Sequence, residues 1–521
     1  MPETLKSYLA GAWVEGAGDG SPLVDPVSGA VLATASSTGL DLAAALSHAR
    51  AVGGPALRAL SFGERAGLLK AAADVLTAKR DDYFEIARRN SGNTKVDAAI
   101  DIDGGIGTLR YYARIGAGLG GAHHLVDGDL QRLSKEEGYQ ALHLLLPRQG
   151  AAIHINAFNF PSWGLWEKAA VALLAGVPVL AKPATPTAWL AQRMVADVVA
   201  AGVLPEGALS ILCGSAGDLL DQVAPEDMIA FTGSADTGAT IAAHPRVRAL
   251  NLPVNIEADS LNAAVLGPDA GDDLQAAFVA EVAREMTVKA GQKCTAIRRA
   301  FVPAALADRV AEALAARLAK TVVGDPADES VRMGPVVSAA QRDGVLAGID
   351  RLRREASVVF DGGPGFAPKA AAPEKGAFVP PTLLRADPAS AAAVHEHEVF
   401  GPVSTLLPYA DEAALFPAVR RGGGSLVASV FSDDGDFLTR AWQALGDRHG
   451  RLMMVDSATT RAHTGHGIVM PMCLHGGPGR AGGGEELGGL RGLALYQQRT
   501  AVQGPTPWLE RLKADGAPFA G

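Results

Sequence analysis

Met228-Ile229-Ala230-Phe231-Thr232-Gly233-Ser234-Ala235-Asp236-Thr237-Gly238 reads as a buried strand, a Gly-Ser turn and the start of a helix. The same alternation runs outward on both sides. Segments 151–155, 177–181, 209–212 and 249–256 read as strands, and 163–175, 187–201 and 236–243 as helices. Short β-branched runs between helices point to an α/β fold with a parallel sheet covered on both faces. Ligands in such folds sit beyond the carboxyl ends of the strands, which is where Gly233 and Ser234 fall. Backbone N–H groups, the helix dipole and the Ser234 hydroxyl there suit a pyrophosphate. A capped helix without a ligand fits this motif equally well. No Walker lysine follows, so nucleoside triphosphate chemistry is not expected. The glycine cluster 476–484 contains a formal GxGxxG, but too little chain follows it to complete a βαβ unit.

Upstream, 40–52, 62–79 and 80–90 carry apolar residues at helical spacing and read as scaffold. Downstream, a helical run over 274–290 leads into Gly291-Gln292-Lys293-Cys294-Thr295-Ala296-Ile297-Arg298-Arg299. A cysteine on a glycine turn among cationic side chains is a candidate nucleophile, since the thiolate reacts and Lys293, Arg298 and Arg299 are placed to favour it. A lone cysteine more often only packs. Beyond it, 300–303 and 357–361 read as strands and 304–318 as a helix, and alternation resumes over 403–455. This is a second α/β domain.

The 521 residues are 48% hydrophobic and 20% charged, with net charge −9, which fits a soluble globular chain of two or three domains. Nucleic acid and anionic membrane surfaces are not expected partners. Cys213, Cys294 and Cys473 show no CxxC spacing, so a reducing cytoplasm is expected and a disulfide framework is not. Residues 1–20 lack a signal peptide's basic and apolar regions, and the longest apolar run, 169–181, is shorter than the ~20 residues of a membrane span. Neither His395-Glu396-His397-Glu398 nor the set His463, His466, Cys473 and His475 has a zinc spacing, so no metal is expected. The His/Met-rich stretch is expected to line a substrate funnel.

Several stretches taken together resemble the aldehyde dehydrogenase superfamily in order and spacing. They are Asn156-Ala157-Phe158-Asn159-Phe160-Pro161, Lys182-Pro183-Ala184-Thr185, 231–238, Glu257, 291–299 and Glu398-Val399-Phe400-Gly401-Pro402. The resemblance implies a Rossmann-like cofactor domain (1–125 and 150–258), a catalytic domain carrying the cysteine (259–478), and a small β bridging and oligomerisation element (126–149 and 479–521). The tail from His475 through Glu485-Glu486-Leu487-Gly488 is similar to a branch acting on CoA-linked semialdehydes formed when bacteria open aromatic rings. One member of that branch is fused to a C-terminal hydratase. Because this chain ends at Gly521, the unfused type of aerobic benzoate degradation is the expected match.

By that resemblance Cys294 adds to the aldehyde, and the Asn159 amide with the Cys294 backbone N–H stabilises the alkoxide. Glu257 acts as general base for hydrolysis of the resulting thioester. Members that pass the acyl group to CoA lack this glutamate, so a free carboxylic acid is the expected product. Ala258-Asp259-Ser260 after Glu257 departs from the family's usual Gly-Gly-Lys and leaves the path of its side chain open. Glu486 matches a proton-relay glutamate and Lys168 a lysine near the oxyanion site, with a structural ion pair as the competing reading for both. Glu398 is implied to hold the nicotinamide ribose and Phe400 to pack near the ring, while Phe158, Lys182, Thr185, Gly233, Ser234 and Gly238 complete the cofactor site. NAD-preferring relatives often carry a glutamate at the Thr185 position, which would repel a 2'-phosphate. NADP is therefore expected, with NAD the weaker cofactor. Thr185 acting only as a cap for the following helix is the alternative. A homodimer is implied through segments near 131–147 and 496–502. The competing functions are oxidation of another free or CoA-linked semialdehyde, such as that of phenylacetate breakdown, and a catalytically silent fold member.

Overall fold

The computed structural model describes residues 3–363 and 365–519. Among them two seven-stranded sheets dominate, and the fold is α/β as expected. The first has the order Val254–Glu257, Met228–Thr232, Ala152–Ile155, Val179–Lys182, Leu209–Ile211, Ser7–Leu9, Ala12–Val14. Its first five strands are parallel, but Ser7–Leu9 joins antiparallel, so the sheet is mixed where an all-parallel one was expected. Ala12–Val14 follows through a two-residue hairpin turn: Ala10 and Gly11 are both left-handed, at φ 48° and 77°, the geometry of a tight turn between twisted strands.

The Trp163–Ala175 helix is where sequence reading placed it, and from Leu165 onward every residue in it is buried. It packs on Lys95–Leu119, a 25-residue helix that sequence reading did not pick out. Gly104, Gly105, Gly107, Gly116 and Gly118 weaken its intrinsic helical signal. Packing explains three of them: a Cβ at Gly104 would press into the Trp163 ring, one at Gly105 into Ser162 and one at Gly116 into Leu174. The legible signal was the capping box, in which Thr94 and Asp97 satisfy each other's backbone N–H.

The second sheet runs Ser357–Phe360, Thr382–Arg385, Val403–Tyr409, Arg299–Pro303, Ala263–Leu266, Ser425–Phe431, His449–Val455. Only its first pair is antiparallel. Every residue of Ser425–Phe431 is buried, as befits a central strand covered on both faces. A four-stranded sheet unites Leu125–Arg132 and Tyr139–Pro147 with Gln497–Pro505 and Ala517–Pro518, and leaves Tyr139 and Leu146 exposed. A separate ribbon pairs Leu474–Gly476 with Glu485–Leu487 and straddles the boundary expected at 478/479.

Two element boundaries differ from the sequence reading, both near the site. The strand expected over 249–256 begins only at Val254, because Pro245–Ala249 is helical and Asn251 is left-handed. The helix expected to reach residue 290 stops at Thr287.

Candidate active site

After Thr287 the chain makes three left-handed residues in a row, Lys289, Ala290 and Gly291, at φ 52°, 51° and 68°. Such a backbone costs roughly 1–3 kcal/mol at each non-glycine position and persists only when its surroundings impose it. Here Asp97 Oδ1 accepts from the Lys289 N–H at 2.8 Å. A Cβ on Gly291 would collide with the Gly401 carbonyl, so glycine is required. This contact joins the 291–299 and 398–402 motifs and projects Cys294 from a rigid turn. Asn262 Nδ2 holds the turn's far side, donating to Cys294 O at 2.7 Å and Ala296 O at 3.0 Å.

The cations expected to activate the thiol are all engaged elsewhere. Lys293 pairs with buried Glu285 at 2.6 Å. Arg298 donates to Gly291 O, Lys293 O and Gly401 O and lies 3.4 Å from Glu398. Arg299 donates to Leu261 O at 2.7 Å and Val419 O at 3.0 Å. Burial, and after it the nearby carboxylates led by Glu257, push the Cys294 thiol well above its ordinary range. The resting nucleophile is therefore protonated and depends on a neighbouring base.

Glu257, at the carboxyl end of Val254–Glu257, is the carboxylate placed nearest to serve as one. Its side chain is 3% exposed, with Oε2 3.2 Å from His475 Nε2 and 3.4 Å from Thr232 Oγ1, while Oε1 is buried without a partner. Ligating atoms of Glu257, Cys294 and His475 lie within 4.8 Å of one another. Burial alone would raise Glu257, but the charges of His475 and Lys168 outweigh it and hold the carboxyl at about 2. His475 is lowered by burial, yet Glu257, Glu167 and Glu486 together lift it to about 9.

Behind Glu257, carboxylate oxygens of Glu167, Glu257 and Glu486 also lie within 4.8 Å of one another. Fully buried Lys168 bridges two of them, 3.1 Å from Glu167 and 2.9 Å from Glu486. Burial penalises its charge, but these carboxylates outweigh that and raise its pKa. Asn255 Nδ2 donates to Glu486 Oε1 at 3.0 Å, and burial lifts Glu486 to about 6. Glu167 escaped sequence reasoning as a site residue, although it stood beside Lys168 on a helix otherwise rich in apolar residues, which was a usable signal. His475 was weighed as a metal ligand and set aside; its contact with Glu257 depends on how a distant ribbon docks.

Asn159 Nδ2 donates to Gln292 O at 3.0 Å, which leaves the second N–H of the amide to serve an oxyanion. Asn159, Cys294, Glu257, Glu167 and His475 line one cavity of about 40 Å³, together with Gly467 and Val469 from the His/Met-rich stretch. A separate cleft of about 1700 Å³ lies between Arg80–Ser91, the start of Lys95–Leu119, and the two helices Asp272–Thr287 and Ala307–Leu318. It contains none of these residues.

On the cofactor side, Ser234 caps Ala235–Ala243 by accepting from the Thr237 N–H. The Ala235 N–H donates to Asp259 Oδ1 at 3.0 Å, so the departure after Glu257 places a carboxylate at this helix terminus. Gly233 and Gly238 lie against Phe231 and Ile256. Phe158 and Phe400 meet edge to face with centroids 5.7 Å apart. Glu398 accepts from the Ser260 N–H at 3.2 Å, and burial, opposed by Arg298, raises it to about 7. Lys182 ends its strand half-buried, with its pKa lowered by burial. Thr185 caps no helix with its side chain; its hydroxyl donates to Gly214 O at 3.0 Å. A buried carboxylate for ribose hydroxyls and an aromatic pair suit a nicotinamide dinucleotide, while the Asp259 carboxylate occupies the helix N–H that a phosphate would use.

The Aldehyde dehydrogenase family model matches residues 13–502. The 3,4-dehydroadipyl-CoA semialdehyde dehydrogenase of Aromatoleum evansii is 55% identical over 477 residues, covering 91% of this chain and 93% of that protein. PnpE in complex with nicotinamide adenine dinucleotide superposes with TM-score 0.83 at 24% identity, over 97% of this chain and 98% of that one. Betaine aldehyde dehydrogenase of Staphylococcus aureus with NAD+ gives TM-score 0.83 at 23% identity, over 96% and 95%. This chain is an aldehyde-oxidising oxidoreductase that uses a nicotinamide cofactor, and it belongs to the aldehyde dehydrogenase family.

Proposed function

We propose that the enzyme oxidises a CoA-linked semialdehyde, of the type of 3,4-dehydroadipyl-CoA semialdehyde, to its carboxylic acid with NADP during bacterial degradation of benzoate or related aromatic acids. The observation that carries the reaction type is the buried Glu257 carboxylate grouped with the Cys294 thiol. Glu257 takes the thiol proton as Cys294 Sγ adds to the aldehyde carbon and hands it on toward Glu486, while Asn159 with the Cys294 N–H donates to the alkoxide, each such donor being worth roughly 3–4 kcal/mol. Lys182, Thr185, Gly233, Ser234, Gly238, Glu398, Phe400 and Phe158 would hold a nicotinamide dinucleotide, which would supply the hydride acceptor. Glu257 then takes a proton from the water that attacks the Cys294 thioester, which frees the acid and restores the thiol. Glu486, with Glu167 and Lys168, stands next in line to receive that proton. Water rather than CoA is the acyl acceptor, so CoA belongs to the substrate.

The identity to the Aromatoleum evansii enzyme supports the CoA-linked substrate. Thr185 in place of a carboxylate, beside the Lys182 ammonium, supports NADP; since the Thr185 proton is committed to Gly214 O, Lys182 carries the attraction. The exposed Tyr139 and Leu146 on the four-stranded sheet support pairing into a homodimer, and three free thiols support a reducing cytoplasm. Reduced-cofactor formation with the CoA-linked semialdehyde beside its free-acid counterpart, each with NADP and NAD, tests the reading. A higher kcat/KM for the CoA thioester with NADP is expected. Equal or better turnover of the free semialdehyde would remove CoA from the assignment.

A further inference from the structure

We propose that His475 is a positioning residue for this reaction, anchoring the Glu257 carboxylate beside the Cys294 thiol from the same two-stranded ribbon that brings Glu486 to the other side of the base. The inference rests on reading Glu257 as the general base. In the ribbon, His475 is the direct cross-strand partner of Glu486, and opposed residues share a face.

The ribbon is stitched to the strand that carries Glu257. Gly484 N donates to Ile256 O at 3.1 Å, Glu485 N to Asn255 Oδ1 at 3.0 Å, and Ala258 N to Ala481 O at 3.0 Å. These bonds flank Glu257 in the chain, so the imidazole and the carboxylate are held in one frame and not by side-chain preference alone. A Cβ on Gly476 would strike the Gly484 carbonyl, which requires glycine where the ribbon closes.

The charged groups around this pair are few. Glu257 comes from its strand, Glu486 from the ribbon, Glu167 and Lys168 from the Trp163–Ala175 helix, and Cys294 from its turn. Lys168 is shared by Glu167 and Glu486. This leaves imidazolium His475 as the contact cation of Glu257. The base is thereby kept ionised and pointed, at the cost of lowered intrinsic basicity, until a thioester and a water molecule are in place. His475 touches no reacting atom; it acts through Glu257.

Three variants test this in the full-length enzyme: His475→Phe, His475→Gln and Glu257→Gln, each followed by single-turnover kinetics as a function of pH. In the wild type the acid limb of deacylation is expected below the ordinary carboxyl range. In His475→Phe it should rise by roughly one to three pH units, the usual effect of losing an opposite charge at contact distance. The hydride burst should keep its amplitude. His475→Gln retains an N–H donor without a charge, so it should restore the deacylation rate at alkaline pH while its acid limb stays raised. An acid limb at the wild-type pH in the His475 variants would overturn the proposal, and His475→Gln alone decides it if His475→Phe does not fold. Failure of Glu257→Gln to accumulate an acyl-enzyme would instead refute the general-base reading.

Discussion

The Lys293 ammonium lies 2.6 Å from Glu285 Oε1 and 2.7 Å from Oε2, with both side chains out of solvent. The cation next in the chain to the nucleophile is thus neutralised by a carboxylate from the preceding helix, and adjacency in sequence does not become adjacency in field. Glu285→Gln leaves an unpaired buried charge and should cost ~3–5 kcal/mol of stability. In the folded fraction, the released ammonium should speed alkylation of Cys294 by iodoacetamide at neutral pH. Unchanged alkylation would show that Lys293 does not reach the thiol even when freed.

Burial and the surrounding carboxylates raise the Cys294 thiol well above its ordinary value. Its alkylation rate without cofactor should therefore keep climbing beyond pH ~9 and show no plateau near neutrality, because the thiolate is the reacting form. A plateau below that pH would mean the thiol is activated in the resting enzyme. Iodoacetamide kinetics in the Cys213→Ser, Cys473→Ser background report on Cys294 alone.

Glu257→Gln should separate the two halves of the reaction. Loss of a general base typically lowers the rate ~10²–10⁴-fold; thiol addition and hydrolysis both lose it here, and hydrolysis suffers more because water is a far weaker acid than a thiol. A burst of reduced cofactor close to one per active site, with an acyl adduct on the Cys294 peptide by mass spectrometry, is the expected outcome.

Asn159→Ala removes a donor to the oxyanion and should lower kcat by ~10²–10³. Because Asn159 otherwise bonds only the Gln292 carbonyl, alkylation of Cys294 should be unaffected. A parallel fall in alkylation would assign Asn159 to holding the turn and not to the transition state.

Thr185→Glu should reverse cofactor preference by placing a carboxylate where a 2'-phosphate would approach, and Lys182→Ala should weaken NADP more than NAD. Measuring kcat/KM with both cofactors decides it. Equal losses with both cofactors in Lys182→Ala would show that its ammonium does not serve the 2'-phosphate.

The strand, Gly-Ser turn and helix at 228–243 were legible because buried strands and amphipathic helices have different periods, and each announces itself over a few residues. The Lys95–Leu119 helix was not, since three of its glycines make sense only against Trp163, Ser162 and Leu174 of a neighbouring element. Cys294 could be picked out from its glycine turn, and Asn159, Glu257 and Glu398 through the resemblance of their motifs to one family. Their surroundings could not. The cations at Lys293, Arg298 and Arg299 were read as activating because pattern reports proximity along the chain, while the field at a sulfur atom depends on distance, burial and whichever opposite charge arrives first.

By itself, then, the sequence determined the α/β architecture, the order of the motifs and which cysteine is the candidate nucleophile, all properties of local periodicity and residue type. Only the tertiary structure decided that Cys294 rests as a thiol and that Lys168 lies between Glu167 and Glu486. It also decided that His475, from a ribbon late in the chain, meets the Glu257 carboxylate. Ionisation and hydrogen bonding act through space, across a docked ribbon and a buried helix, over distances of a few ångströms that no spacing along the chain encodes.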